Sequence, residues 1–351
     1  MNLKKKFQDL LNGKIFLNAD YSHSDWEIYL KSKKWISEDE KVTDAQKPGE
    51  GNMNFVQRII TNERSVIIKQ SRPWVEKYPQ VNAPVERVGV EAAFYQSISE
   101  DQKLTAYSPG LIGYDSKNYI MAVEDLGAGS DLTYLYQDQN DLTEKETDAL
   151  IDYISLLHQH RGDGFPTNQA MKKLNHEHIF LFPYQEDNGM NLDTVLPGLQ
   201  EVSLPYKNNQ ELKNRIKLLG DIYLAGGNVL IHGDYYPGSW LKVNGKLKII
   251  DPEFGHRGNA EFDLGVMLAH FKLAHLDEMT IQKVLVHYKP ADEFDVSLCS
   301  GFAGIEIMRR ILGLAQLPLS SSLEDRKYLL EEANQLVMQP DSSYLLQMIA
   351  R

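Results

Sequence analysis

The sequence contains almost no cysteine, with Cys299 as the single example among 351 residues. One thiol excludes an internal disulfide framework and any metal site built from several thiolates, and this scarcity is typical of a reducing compartment. We therefore expect a cytoplasmic protein. Cys299 itself is expected to be a small buried apolar residue.

Long apolar runs and an excess of basic charge are also missing. No stretch reaches the roughly eighteen apolar residues that cross a membrane, and the start of the chain continues with polar residues, so neither a span nor a signal peptide is expected. Lys and Arg number 37 against 49 Asp and Glu, for a net charge of -12. A surface of this sign repels phosphates, so we expect no nucleic-acid partner and no membrane partner.

The most informative stretch contains two acidic loops, His232-Gly233-Asp234 and Asp251-Pro252-Glu253. Between them, two short apolar runs flank Asn244-Gly245, a dipeptide that favours the type I′ turn of a tight hairpin. A hairpin returns the chain to its start, so Asp234 is expected near Asp251 and Glu253. Such carboxylates suit phosphoryl transfer, in which one activates a hydroxyl and others hold Mg²⁺. Two ordinary solvated turns are the alternative interpretation.

Upstream features occur in the order found in a kinase small lobe. A glycine-bearing loop precedes a strand, and a β-branched strand then ends in Lys69. Loop amides and a lysine together clamp phosphates. A helix near residues 84–99 offers Glu91 as the ion-pair partner of Lys69, with Glu86 as its competitor. The candidate nucleotide-binding residues of the loop and strand are Gly49, Gly51, Asn52, Asn54 and Lys69.

The remaining pattern predicts an α+β, bilobal protein-kinase-like fold. Apolar strands near residues 111–114 and 119–123 complete a five-stranded antiparallel sheet, which with one helix forms a small lobe over residues 1–124. Helical periodicity then dominates residues 125–351, the large lobe, as in 145–161 and 211–225. The hinge begins at Glu124, and the backbone of Glu124 and Leu126 is expected to face an adenine ring.

Four other residues carry predictions about the site. Arg309 and Arg310 lie in an apolar helix, so at least one is expected to be partly buried beside an anion, either a structural carboxylate or a phosphate or sugar hydroxyl group. Asp263 is expected to cap a helix or to brace the Asp234 loop. Ser239 lies five residues after Asp234, where protein kinases place a metal-binding Asn.

Taken in order, these residues resemble the small-molecule kinases of the aminoglycoside phosphotransferase and choline kinase superfamily, and are most similar to the methylthioribose kinases. The resemblance implies ATP bound between the lobes, Lys69 on its phosphates, and Asp234 as catalytic base. It also implies Asp251 and Glu253, with Ser239, at Mg²⁺, and Arg309-Arg310 near an acceptor sugar. The matching stretches are residues 49–56, 66–70, 72–75, 123–126, 232–234, 238–239, 251–254, 262–265 and 309–314.

Two segments depart from that family. Tyr235-Tyr236-Pro237 replaces Leu-His-Thr, and Gly255-His256-Arg257-Gly258-Asn259 replaces a segment with aromatic, glycine and proline residues. These segments would line the acceptor pocket, so Tyr235 is a candidate for contact with the acceptor. The sequence thus predicts an ATP-dependent kinase for the hydroxyl of a small, sugar-like acceptor. A kinase for an amino alcohol or aminoglycoside and an inactive nucleotide-binding regulatory module are the alternatives, and a homodimer is left open.

Overall fold

Two compact units make up the chain. The computed structural model describes residues 3–12, 14–49, 53–137 and 141–339. The first unit comprises Met1–Ala128 together with Asp251–Phe254, and the second comprises Gly129–Ile250 and Gly255–Arg351. The division thus differs from the predicted one at residue 124, and the segment Asp251–Phe254 does not group with the large lobe. The reason is local, because Asp251 and Glu253 bind side chains of the first unit.

The first unit is built on a five-stranded antiparallel sheet, as predicted. Its strands run in the order β1-β2-β3-β7-β6, and β4 pairs with β5 in a separate ribbon. The strands are β1 (Val42–Gln46), β2 (Phe55–Thr61), β3 (Ser65–Gln70), β4 (Trp74–Val75), β5 (Tyr78–Asn82), β6 (Leu111–Asp115) and β7 (Ile120–Glu124). The helices are α1 (Leu3–Leu10), α2 (His23–Ser32), α3 (Arg87–Ser97) and α4 (Gln102–Thr105).

One face of this sheet packs against the helix α2. Ile59, Val66 and Ile68 project from β2 and β3 into a core that also contains Trp26 and Leu30. Alternation of apolar side chains made β2 and β3 predictable. Strand β1 was missed because only its first residue is buried, so its sequence lacks the alternation of a half-buried strand.

The second unit is mostly helical, as predicted for the large lobe. Its short strands are β8 (Gly129–Asp131), β9 (Val229–Ile231), β10 (Trp240–Val243), β11 (Lys246–Ile249) and β12 (His256–Gly258). The helices are α5 (Glu144–Gln159), α6 (Gln169–His176), α7 (Leu199–Lys207), α8 (Gln210–Ala225), α9 (Ala260–Leu273), α10 (Glu278–His287), α11 (Val296–Leu312) and α12 (Leu323–Met338). In the described part of the chain, no helix is long and apolar enough to cross a membrane.

The predicted hairpin between the two acidic loops is confirmed. Strands β10 and β11 pair antiparallel from Trp240 opposite Ile249 to Val243 opposite Lys246. The turn residues Asn244 and Gly245 have φ values of 50° and 73°. Two successive positive φ angles are what a type I′ turn requires, and they match the twist of the flanking strands.

Candidate active site

Lys69 occupies the centre of the candidate nucleotide site in the first unit. It projects from β3, and its Nζ lies 2.6 Å from Glu91 Oε1 on α3. The same nitrogen contacts the carboxylate of Asp251. Burial alone would lower the pKa of Lys69, but Asp251 and Glu91 outweigh this effect and raise it, so the lysine stays charged. Glu91 is therefore the pairing partner of Lys69, and Glu86 is the N-cap residue of α3.

Of the four loop residues predicted to bind nucleotide, Gly51 and Asn52 lie outside the described residues. A side chain added at Gly49 would meet no atom within 4 Å. Asn54 is buried and used within the protein, because its Nδ2 donates to Glu253 Oε2 over 2.8 Å and its Oδ1 accepts from Ser71 at 3.2 Å. The Asn54 side chain thus ties the end of the loop to the Asp-Pro-Glu segment.

Arg87, at the start of α3, completes the surroundings of Glu253. Its Nε lies 3.5 Å from Glu253 Oε2. The remaining guanidinium nitrogens donate to four backbone carbonyls at 2.6 to 3.2 Å, those of Met53, Arg72, Trp74 and Pro84. Burial raises the pKa of Glu253 to about 7, and Arg87 opposes the rise. Arg87 therefore connects the glycine loop, the chain after β3 and the predicted metal segment.

The connector after β7 is fixed by an arginine from β2. Arg58 forms a two-pronged ion pair with Asp125, at 2.7 and 2.9 Å, and also donates to the carbonyl of Gly127. Glu124 is exposed, and its backbone N–H and side chain both bond to Gly110. Leu126 is half-buried. The adenine contacts predicted for Glu124 and Leu126 stay predictions, while Arg58 gives this connector its shape.

Asp234, the predicted base, lies in the second unit beside the arginine pair of α11. Its Oδ1 lies 3.3 Å from Arg309 Nη2 and 3.4 Å from Arg310 Nη2. Both arginines also bind Glu306, one turn earlier on the same helix. Burial raises the pKa of Asp234, and Arg310 and Arg309 oppose the rise. The Asp234 side chain keeps 24% exposure, which leaves room for a ligand to approach it.

The side chain of Asp263 holds the backbone of the loop that carries Asp234. The two carboxylate oxygens of Asp263 accept the backbone N–H groups of His232 at 2.6 Å and Gly233 at 2.9 Å. Gly233 has a φ of 81°, a left-handed conformation that favours glycine. Asp263 lies inside α9, whose N-cap is Asn259. Of the two roles predicted for Asp263, the structure therefore contains the bracing role.

Ser239 and Ile250 close this loop. Ser239 Oγ donates to the carbonyl of Asp234 over 2.9 Å. Ile250, the last residue before the Asp-Pro-Glu segment, donates its N–H to the carbonyl of Ser239 and accepts from His232 Nε2, both at 3.0 Å. The Ser239 hydroxyl thus donates its proton within the loop, and the role of Ser239 at a metal stays a prediction.

The prediction for Tyr235 needs correction. Its side chain is fully buried, its hydroxyl donates to the carbonyl of Leu150 over 2.9 Å, and its ring stacks on Tyr153. Tyr235 is therefore a core residue and not a wall of an acceptor pocket. The next residue, Tyr236, lies at the site instead, with the Arg310 guanidinium 4.5 Å from its ring centroid.

Comparison with known proteins identifies the family of this chain. Residues 45–294, more than half of the chain, match the model of the phosphotransferase enzyme family. The chain belongs to this family. The likeness supports the resemblance seen in the motifs of the sequence.

Two curated relatives and one solved structure show how far the likeness extends. The methylthioribose kinase of Yersinia pestis is 26% identical to this chain over 273 residues, which are 72% of this chain but only 64% of that enzyme, less than two thirds. The methylthioribose kinase of Bacillus cereus is 25% identical over 338 residues, covering 80% of this chain and 81% of that enzyme. A spectinomycin phosphotransferase, solved with ADP and spectinomycin, matches with a TM-score of 0.51 at 14% identity, covering 92% of this chain and 99% of that one. At that identity the structural match shows the fold alone, and it confirms the predicted fold class.

Three residues that shape the candidate site were missed from the sequence. Arg87 and Arg58 gave no local signal, since their partners are distant backbone carbonyls and a distant aspartate. Glu306 did give a local signal, because a glutamate and the arginines three and four residues after it lie on the same face of a helix. A charged residue in so apolar a helix is itself a sign of buried pairing.

Proposed function

We propose that this phosphotransferase transfers the γ-phosphate of ATP to a hydroxyl group of a small, sugar-like acceptor. The observation that carries the proposal is the contact of the buried Lys69 with both Glu91 and Asp251, residues 22 and 182 positions away in the chain. In kinases a lysine held by a helix glutamate neutralises phosphate oxygens. ATP is made and used in the cytoplasm, where we place the reaction.

Asp234 is the general base of the proposed reaction. Its carboxylate accepts a hydrogen bond from the acceptor hydroxyl and takes the proton as the new O–P bond forms and the bond to ADP breaks. A raised pKa makes this carboxylate a stronger base than an exposed aspartate. Lys69 offsets the charge on the transferred phosphate, and the braced loop keeps Asp234 in one orientation.

The Asp-Pro-Glu segment fits Mg²⁺ in its donor chemistry. Mg²⁺ takes oxygen ligands, and Asp251 and Glu253 supply two carboxylates, of which that of Asp251 is 48% exposed. Among the residues that the structure describes, no three His, Cys, Asp or Glu side chains form a metal-binding group. Mg²⁺ in nucleotide sites keeps water and phosphate ligands, so one or two carboxylates suffice. When bound, it would neutralise phosphate charge.

The charges around Asp234 favour a neutral acceptor over a cationic one. Arg309 and Arg310 both point a nitrogen at Asp234, so an amino alcohol or aminoglycoside would bring a third positive charge beside them. Sugar hydroxyl groups can accept hydrogen bonds from guanidinium groups without that repulsion. The methylthioribose kinases among the relatives support the same class of acceptor.

The test is acceptor-dependent ADP release in the presence of Mg-ATP. The panel contains methylthioribose, ribose and other pentoses, choline, and an aminoglycoside. Asp234→Asn is expected to lower kcat by about 10²- to 10⁴-fold with the best acceptor, the usual effect of losing a general base. Asp221→Asn is the matched control, because Asp221 is exposed on α8 and pairs with Lys217.

Each outcome is decisive for the proposal. Release with a sugar, abolished in Asp234→Asn and retained in Asp221→Asn, supports it. Release with choline or the aminoglycoside alone contradicts the acceptor class, because the arginines would then have to tolerate a cation. ATP binding without any turnover would favour the inactive regulatory module.

A further inference from the structure

Glu306 lies at the middle of α11, and its side chain is almost completely buried, with 1% exposure. Its Oε2 accepts from Arg309 Nε over 2.5 Å, and its Oε1 accepts from Arg310 Nε over 2.7 Å. The two arginines follow at positions three and four residues later, so one carboxylate faces both stems. Because all three groups are buried, removing one of them would leave an uncompensated charge in the interior, which costs much more than breaking a surface helix pair.

The bonds to Glu306 fix the direction in which each guanidinium points. With Nε turned toward Glu306, the Nη2 atoms of both arginines converge on one atom, Asp234 Oδ1. The Arg310 guanidinium also rests on the ring of Tyr236. Both arginine bonds go to Oδ1, so neither arginine occupies Oδ2, the other oxygen of the proposed base.

Behind Glu306, the chain of hydrogen bonds continues into the core of the second unit. His270 Nε2 on α9 lies 2.9 Å from Glu306 Oε1, and the Tyr136 hydroxyl lies 2.6 Å from His270 Nδ1. An ionised carboxylate can only accept, so Nε2 carries a proton. Burial lowers the pKa of His270, so the ring is neutral and Nδ1 accepts from Tyr136. His270 thus binds the same oxygen of Glu306, Oε1, as Arg310 does.

We infer that Glu306 is a positioning residue for phosphotransfer. It holds the guanidinium groups of Arg309 and Arg310 so that they orient Asp234 through Oδ1. The inference rests on the function proposed above. His270 supports the same arrangement by fixing the Glu306 carboxylate. Neither residue touches the acceptor, and both act through the arginines.

The charges of this cluster balance. Two guanidinium groups face two carboxylates, Asp234 and Glu306, while His270 is neutral. Removing the charge of Glu306 leaves one buried positive charge without its partner, which draws the arginines toward Asp234. A base held more tightly and in a different orientation transfers the proton less well, whereas the Lys69 site in the first unit keeps all its residues.

The decisive variant is Glu306→Gln, which keeps the size of the side chain but replaces one acceptor oxygen with a donor. We expect kcat with the sugar acceptor to fall about 10- to 100-fold and its KM to rise, the scale on which small misplacements act. The KM for ATP should change less than twofold. Glu324→Gln, at an exposed position of α12, is the matched control.

A second pair of variants keeps the inference testable if Glu306→Gln does not fold. His270→Gln can still donate to Glu306 and accept from Tyr136, whereas His270→Leu can do neither. We expect His270→Gln to be several-fold more active than His270→Leu. A loss that is equal in both variants would contradict the inference, because it would show that packing and not hydrogen bonding matters.

Arginine-labelled NMR gives a readout besides activity. The Nε–H protons of Arg309 and Arg310, bonded to a buried carboxylate, are expected to exchange slowly with water in the wild type and quickly in Glu306→Gln. Unchanged exchange, or an unchanged kcat in a folded variant, would overturn the inference. Failure of the proposed function is distinguishable, because the wild type itself would then release no ADP with any acceptor.

Discussion

Protonation of His270 is expected to link the stability of the second unit to pH. Burial, assisted by the charges of Arg310 and Arg309 and opposed by the bond to Glu306, lowers the pKa of His270 from an ordinary 6.5 to about 4. The folded protein therefore keeps this ring neutral over a range in which the unfolded chain binds a proton.

The sign and size of the effect follow from this difference. Above pH 6.5, His270 is neutral in both states and has no effect on the pH dependence of stability. As pH falls from 6.5 to about 4, the unfolded state gains a proton that the folded state does not, so stability is lost. At about 1.4 kcal/mol per pH unit, the loss reaches about 3 kcal/mol.

The assay compares urea unfolding of the wild type and of His270→Gln at several pH values between 4 and 7.5, followed by circular dichroism. Glutamine keeps the hydrogen bonds but does not ionise, and every other titrating group is common to both proteins. The wild type should lose about 3 kcal/mol relative to the variant across this range. Parallel stability curves would refute the argument, since they would show that His270 has the same pKa in both states.

Two further predictions concern residues that hold the site together. Arg87→Met removes the cation beside Glu253 and the donors to four backbone carbonyls, so the free energy of unfolding in urea should fall by about 3 to 5 kcal/mol. A loss under about 1 kcal/mol would show that water replaces these bonds. A Cβ atom at Gly238 would lie 2.4 Å from the Tyr236 hydroxyl. Gly238→Ala should therefore push this ring away from Arg310 and lower kcat about tenfold without changing the KM for ATP, and an unaltered kcat would show that the ring is not needed.

Features fixed by neighbouring residues were predictable from the sequence. The Asn244-Gly245 turn needs positive φ angles that few residues adopt, so these two residues alone place the hairpin. Glu91 could be chosen as a candidate partner of Lys69 because the periodicity of α3 sets which side chains face the sheet. The periodic helices were also placed to within two residues at most ends, as in α5 and α8.

Features that depend on distant contacts were not predictable. Tyr235 and Tyr236 are adjacent and chemically identical, and only the packing around them decides that the first is buried on Tyr153 and the second lies beside Arg310. Arg87 reads as an ordinary helix arginine until its four carbonyl partners are known. A sequence pattern indicates which face of a helix or strand is buried, but it does not indicate which distant segment packs against that face.

The grouping of Asp251–Phe254 with the first unit limits how the chain can be divided into fragments. The chain leaves the second unit for four residues and then returns to it. A fragment ending at Ala128 would keep the cations Lys69 and Arg87 but lose both carboxylates that these residues bind. Neither unit can therefore be produced complete from one continuous gene segment, because residues of the other unit interrupt each of them.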